Sequence, residues 1–176
     1  MVMGKMTNTS PKSLARLFRQ MMFVPFLHNR WLDDGVKIRL ARAITHAEKG
    51  HAGEIVLIIE NHLPINRAYM AGCYERALGL FAEHGVWDTE HNTGVLIYVN
   101  LCEHELEIIA DRGIDKCATH DVWQALCNKA LADFKGGNME KGLSELVAGV
   151  GELLQTHFPS DDVMGDELSN QVIYLR

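Results

Sequence analysis

The chain has 176 residues, of which 47% are hydrophobic, so it is long enough for one domain with a buried core. The formal net charge is −6, and residues 1–42 hold eight Lys or Arg against two Asp, which leaves nine basic and 21 acidic residues in the remainder. This acidic body argues against nucleic acid as a ligand, while a cationic leader suits a membrane surface or a protein partner.

The first 35 residues form this cationic leader. Its apolar residues fall on one helical face: Leu14, Leu17, Phe18, Met21 and Met22. Charged residues interrupt them, so neither a signal peptide nor a membrane span is expected. Such a helix would lie on anionic lipid, or dock on its own domain or a second subunit, which is the favoured interpretation. The sequence leaves the oligomeric state open.

Cysteine usage indicates the compartment. The four cysteines show no CxxC pair and no zinc spacing, so we expect reduced thiols in a reducing cytoplasm, with the chain soluble there or peripheral to a membrane.

Hydrophobic periodicity predicts alternating helices and strands. The expected elements, in chain order, are a helix over Val36–Lys49, a strand over Ile55–Ile59, a helix over Asn66–Glu83, strands over Gly94–Asn100 and Glu105–Asp111, a helix from about Asp121, and a last helix after Asn138. The first helix is expected to present Ile38, Ala41 and Ile44, and the helix near Asp121 is expected to present Val122, Leu126, Ala130 and Phe134.

The connections between these elements predict the topology. The first two strands are joined through a helix, as in a βαβ crossover, whereas the second and third are joined by so few residues that they form an antiparallel hairpin. The prediction is an α/β fold, a three-layer α/β/α sandwich with a small mixed sheet and a C-terminal helical hairpin. The domain spans residues 36–158, and residues 159–176 form an acidic extended tail whose last residues can pair at a sheet edge.

Three stretches of the domain carry a family resemblance: GEIVLIIENHLP, GVWDTEHNTGVLIYVNLCEHELEIIADRGI and ALADFKGGNMEKGLSELVAGVGELL. In this order they resemble the TPM domain, also called the TPM phosphatase family, and the ending DELSNQVIYL resembles the tails of its bacterial members. The family is similar to a thylakoid lumenal protein described as an acid phosphatase, and some bacterial members are reported to bind calcium or magnesium. The resemblance therefore implies a bound divalent cation and a phosphatase activity.

One end of the sheet gathers polar residues. An antiparallel hairpin returns Asp111 and Arg112 to Asn92, while Asp88 lies in the loop feeding that end and Asp121 starts the next helix. Because Ca2+ and Mg2+ prefer oxygen ligands, we expect a metal site formed by Asp88, Asn92, Asp111 and Asp121. Arg112 would bind an anion such as phosphate, and metal-assisted hydrolysis would need this arrangement together with an activated water.

Other interpretations compete with this one. Loop aspartates usually serve turns and helix caps, and an Asp-Arg pair ending a strand is commonly a surface ion pair. The alternative function is therefore a non-catalytic domain that engages a protein partner or a membrane surface. The histidines, His46 and His51 included, lack zinc spacing and are expected to be solvated or capping residues. Trp87 and Trp123 are expected to pack.

Overall fold

The computed structural model describes residues 2–3, 20, 22, 31–64, 72–160 and 168–176. The elements are β1 (Val2–Met3), α1 (Asp34–Ala47), β2 (Glu54–Glu60), α2 (Cys73–Glu83), β3 (Gly94–Asn100), β4 (Glu105–Ala110), α3 (Arg112–Asp115), α4 (His120–Lys135), α5 (Met139–His157) and β5 (Ile173–Leu175). All the predicted helices and strands are present. The predicted start of α2, up to residue 71, lies outside the described residues.

The sheet has five strands in the order β1-β4-β3-β2-β5. Strands β2 and β3 are parallel, from Glu54 opposite Gly94 to Glu60 opposite Asn100, and β3 and β4 are antiparallel. The tail strand β5 adds parallel to β2, and β1 adds antiparallel to β4. The mixed sheet, the crossover and the hairpin are therefore confirmed, and β1 is an addition that the sequence did not indicate.

Helices cover both faces of the sheet. On one face, α1, α4 and α5 bury the alternate strand residues that include Leu57, Ile97 and Ile108. On the other face, α2 packs against Ile58, Leu96 and their neighbours. Because β2 and β3 are buried on both faces, they carry continuous apolar runs rather than an alternating pattern. The three-layer α/β/α prediction is confirmed.

Two predicted helix faces were wrong in part, because Ile44 and Ala130 are buried as predicted but other members of each face are not. Helix α1 buries Val36, Leu40 and Ile44, whereas Ile38 is 54% exposed. Both Ile38 and Leu40 are apolar, and only the packing of α1 against the core decides which of the two side chains is buried. In α4, Cys127 and Ala130 are buried and so is Trp123, whereas its neighbour Val122 is 40% exposed. The larger apolar surface of the indole explains why this residue takes the core position.

Two parts of the leader contact its own domain, residues 2–3 and Gln20. Residues Val2–Met3 pair with β4, and Gln20 is buried. The Gln20 amide nitrogen donates to the Glu103 carboxylate, and its amide oxygen accepts a hydrogen bond from Leu63 N at 2.9 Å. Met22 is 64% exposed, and the rest of the predicted apolar face lies outside the described residues.

His51 was expected to be solvated or capping; it is buried rather than solvated, and it caps the end of α1. Its Nε2 lies 2.6 Å from Ala47 O at the end of α1, and its Nδ1 accepts a hydrogen bond from Gly53 N at 3.0 Å, just before β2. These contacts define a neutral imidazole that is protonated on Nε2. Burial lowers the pKa of His51 below its ordinary value of 6.5.

The buried, neutral imidazole of His51 predicts that stability depends on pH. The folded state disfavours the imidazolium, so the unfolded chain binds more protons, and stability is lost as the pH falls below the unfolded pKa of 6.5 toward the lower folded pKa. The variant His51→Asn does not titrate in this range, and its side-chain oxygen can still accept from Gly53 N. When urea unfolding is measured at about pH 7.5 and at about pH 5, the free energy of unfolding should decrease more in the natural protein than in the variant. An equal loss in both would remove His51 as the cause.

A second prediction concerns the first residue of β3. A Cβ atom on Gly94 would lie 1.8 Å from Val86 O, a backbone atom of the loop that follows α2. Gly94→Ala should therefore force a backbone shift and destabilise the fold by about 3 kcal/mol or more, measured by urea unfolding. Gly35→Ala is the control, because its Cβ would meet only the side chains of Asp33 and Arg39. A small effect at Gly94 would contradict the close approach.

Candidate functional site

Three of the predicted site residues meet at the end of the hairpin. Asp111 follows β4, and its backbone N–H donates to Gly94 O at 2.9 Å. The Arg112 guanidinium Nε donates to Asn92 Oδ1 at 3.0 Å, and the Arg112 backbone N–H donates to Asp111 Oδ1 at 2.7 Å. Arg112 is therefore the common hydrogen-bond partner of Asn92 and Asp111.

Local backbone geometry fixes this meeting point. Asn92 adopts a left-handed conformation with φ of 54°, which asparagine tolerates better than most residues. Its carbonyl oxygen accepts from Gly113 N at 3.1 Å. A Cβ on Gly113 would lie 2.4 Å from Asn92 O and 2.9 Å from His91 O, so only glycine allows α3 to approach these two carbonyls.

Asp111 is a helix cap with one oxygen left over. Its Oδ1 caps α3, and among the described residues no ion pair joins the carboxylate to the guanidinium of Arg112. Its Oδ2 is buried and has no hydrogen-bond partner within the described part of the chain. A buried carboxylate oxygen without a partner is unfavourable, which makes Oδ2 a candidate atom for a further ligand.

The other two predicted ligands are on the surface. Asp88 is exposed in the turn after α2, and Asp121 is exposed in the first turn of α4. Across residues 31–64, 72–160 and the other described positions, no group of three or more His, Cys, Asp or Glu side chains is placed to hold a metal ion. A cation at this end would therefore need amide, carbonyl and water oxygens in addition to carboxylate.

The opposite end of the sheet holds a buried polar network that the sequence reasoning missed. The Glu60 carboxylate is held by Arg76, whose Nη2 lies 2.7 Å from Oε1, and by the Tyr98 hydroxyl, which donates to Oε2 at 2.5 Å. The Asn100 amide in turn donates to the Tyr98 hydroxyl at 2.9 Å. The pKa of Tyr98 is raised well above its usual value, chiefly because the phenol is buried and also because Cys73 and Glu60 lie nearby.

A signal for this network was present in the sequence. The apolar runs of β2 and β3 each end in a polar residue, Glu60 and Asn100, and parallel strands bring such ends to the same edge. The partner on α2 could not be read in this way, because it depends on how that helix is rotated on the sheet.

These features define a three-layer α/β/α domain with polar groups at both ends of a mixed sheet. Residues 28–153 match the family model of the TPM domain, and the chain belongs to this family. No curated protein matches the chain. Among solved structures, it is similar to the NMR structure of BA42 protein from the psychrophilic bacterium Bizionia argentinensis, with 28% identity and a TM-score of 0.73, over 82% of this chain and 96% of that one.

No helix of the described residues is both long and apolar enough to cross a membrane.

The buried pair predicts a large cost on truncation. Arg76→Met should leave the Glu60 carboxylate, whose side chain is 3% exposed, without its cation and reduce the free energy of unfolding by about 3–5 kcal/mol. The matched control is Arg39→Met, which breaks a bidentate ion pair with Glu140. The side chains of Arg39 and Glu140 are 55% and 37% exposed. The control should lose a small fraction of that stability because solvent screens the pair. Equal losses in denaturant titrations would contradict the assignment.

Proposed function

We propose that this TPM domain binds a divalent cation, Ca2+ or Mg2+, at the end of the hairpin, with Asp111 as the charged ligand. The observation that carries the proposal is the buried Asp111 Oδ2 atom, which has no hydrogen-bond partner in the described part of the chain. A buried carboxylate oxygen is stabilised by a cation, and hard cations prefer such oxygens.

The surrounding donors fit a hard cation. The Asn92 amide and the carbonyls of His91 and Asn92 lie beside Gly113, within the same loop and helix start. Ca2+ takes six to eight oxygen ligands that include carbonyls and waters, and Mg2+ keeps several of its waters, so a site with one inner carboxylate is chemically reasonable. In the proposal, Asp88 and Asp121 contribute through water from their exposed positions.

We further propose that the site acts on phosphate esters. Lewis-acid polarisation of a phosphoryl oxygen is the chemistry that such a cation supplies. Arg112 is exposed, and the planar fork of its guanidinium suits an anion such as phosphate. The proposed compartment is the cytoplasm, because Cys73, Cys102, Cys117 and Cys127 are all free thiols.

Calorimetric titration with Ca2+ and Mg2+ tests the cation site. Asp111→Asn keeps a side-chain oxygen that can cap α3 but removes the charge, so the fold should survive while cation affinity falls at least about tenfold. Asp34→Asn is the matched control, because it removes a carboxylate from the first turn of α1, far along the chain from the hairpin. Unchanged affinity in Asp111→Asn would refute the site.

Phosphatase assays test the second half of the proposal. With Mg2+, Ca2+ or Mn2+ present, hydrolysis of a generic phosphomonoester should be lost in Asp111→Ala and retained in Asp34→Ala. A rate that Asp111→Ala leaves unchanged would refute the enzyme while leaving cation binding intact.

A further inference from the structure

Arg112 occupies an oxygen that the proposed cation would need. Its Nε donates to Asn92 Oδ1 at 3.0 Å, and its backbone N–H donates to the other oxygen of the Asp111 carboxylate. The guanidinium is therefore bonded to one of the proposed ligands, Asn92, and it forms no ion pair within the described residues.

A guanidinium and a metal ion cannot share this place. Both are positively charged, and two like charges a few ångströms apart repel each other.

We propose that Arg112 and the cation compete for Asn92, so that cation binding releases the Arg112 guanidinium to bind a phosphate group. This inference rests on the cation site proposed above and adds its regulation. Without the cation, Arg112 is tied to Asn92, and the anion site is incomplete. With the cation, the fork of Arg112 is free. Cation and phosphate then strengthen each other's binding, and linkage makes this coupling reciprocal.

The first test is the cation affinity of an Arg112 variant. Arg112→Ala removes the competitor, so Ca2+ and Mg2+ should bind at least about fivefold more tightly in calorimetry. Lys116→Ala is the matched control, because Lys116 is an exposed cation at the end of the same short helix and has no hydrogen bond to Asn92. The control should show only the small gain that comes from removing a nearby charge.

The second test uses inorganic phosphate without any metal. Asn92→Gly keeps the left-handed backbone at this position and frees Arg112, so phosphate should bind more tightly than to the natural protein. Adding Mg2+ should raise phosphate affinity in the natural protein, and Arg112→Ala should lower phosphate affinity under both conditions.

The outcomes separate the two ideas. If the natural protein binds neither Ca2+ nor Mg2+, the proposed function and this inference fall together. If it binds them, but Arg112→Ala gains no more affinity than Lys116→Ala, the competition is refuted while the cation site stands. Phosphate binding to Asn92→Gly that matches the natural protein would likewise refute the release of Arg112.

Discussion

The parallel pairing of β2 with β3 is the constraint on which the rest of the structure depends. Seven residues of each strand pair in register, and all fourteen are buried. Two strands that are covered on both faces need helices on both sides, which gives the three layers. The same pairing brings the polar residues that flank these apolar runs to the two ends of the sheet.

The two ends differ in how well their polar groups are satisfied. At one end, the Glu60 carboxylate is held by Arg76 and Tyr98, and a fully partnered buried network of this kind rigidifies a fold. At the other end, the carboxylate of Asp111 keeps one buried oxygen without a partner among the described residues, beside an exposed Arg112. This difference is the reason why ligand binding is proposed at the second end, while the network at the first end stabilises the fold.

The sequence predicted the features that depend on the order of the elements along the chain and on their hydrophobic periodicity. A β-branched run over Ile55–Ile59 required a strand covered on both faces, and the short hairpin connection required Asp111 to return toward Asn92. Prediction from the sequence failed where one hydrophobic pattern is compatible with several ways of packing. The rotation of α1 about its axis decides whether Ile38 or Leu40 is buried, and the sequence does not show it. Strand β1 has only two residues, which is too short for a recognisable hydrophobic period. The orphaned oxygen of Asp111 was equally invisible, because it depends on which groups fail to reach it.

The hairpin end combines a fixed backbone with one adjustable side chain. The hydrogen bond from Gly113 N to Asn92 O and the close fit of Gly113 against two carbonyls hold β4, α3 and the loop before β3 together. A ligand therefore meets oxygens whose positions are already set, which reduces the entropy that binding must cost. Arg112, in contrast, is attached through an exposed side-chain hydrogen bond that can be exchanged without moving the sheet. Any response of this domain to a cation is for that reason expected in the side chain of Arg112, with the fold unchanged.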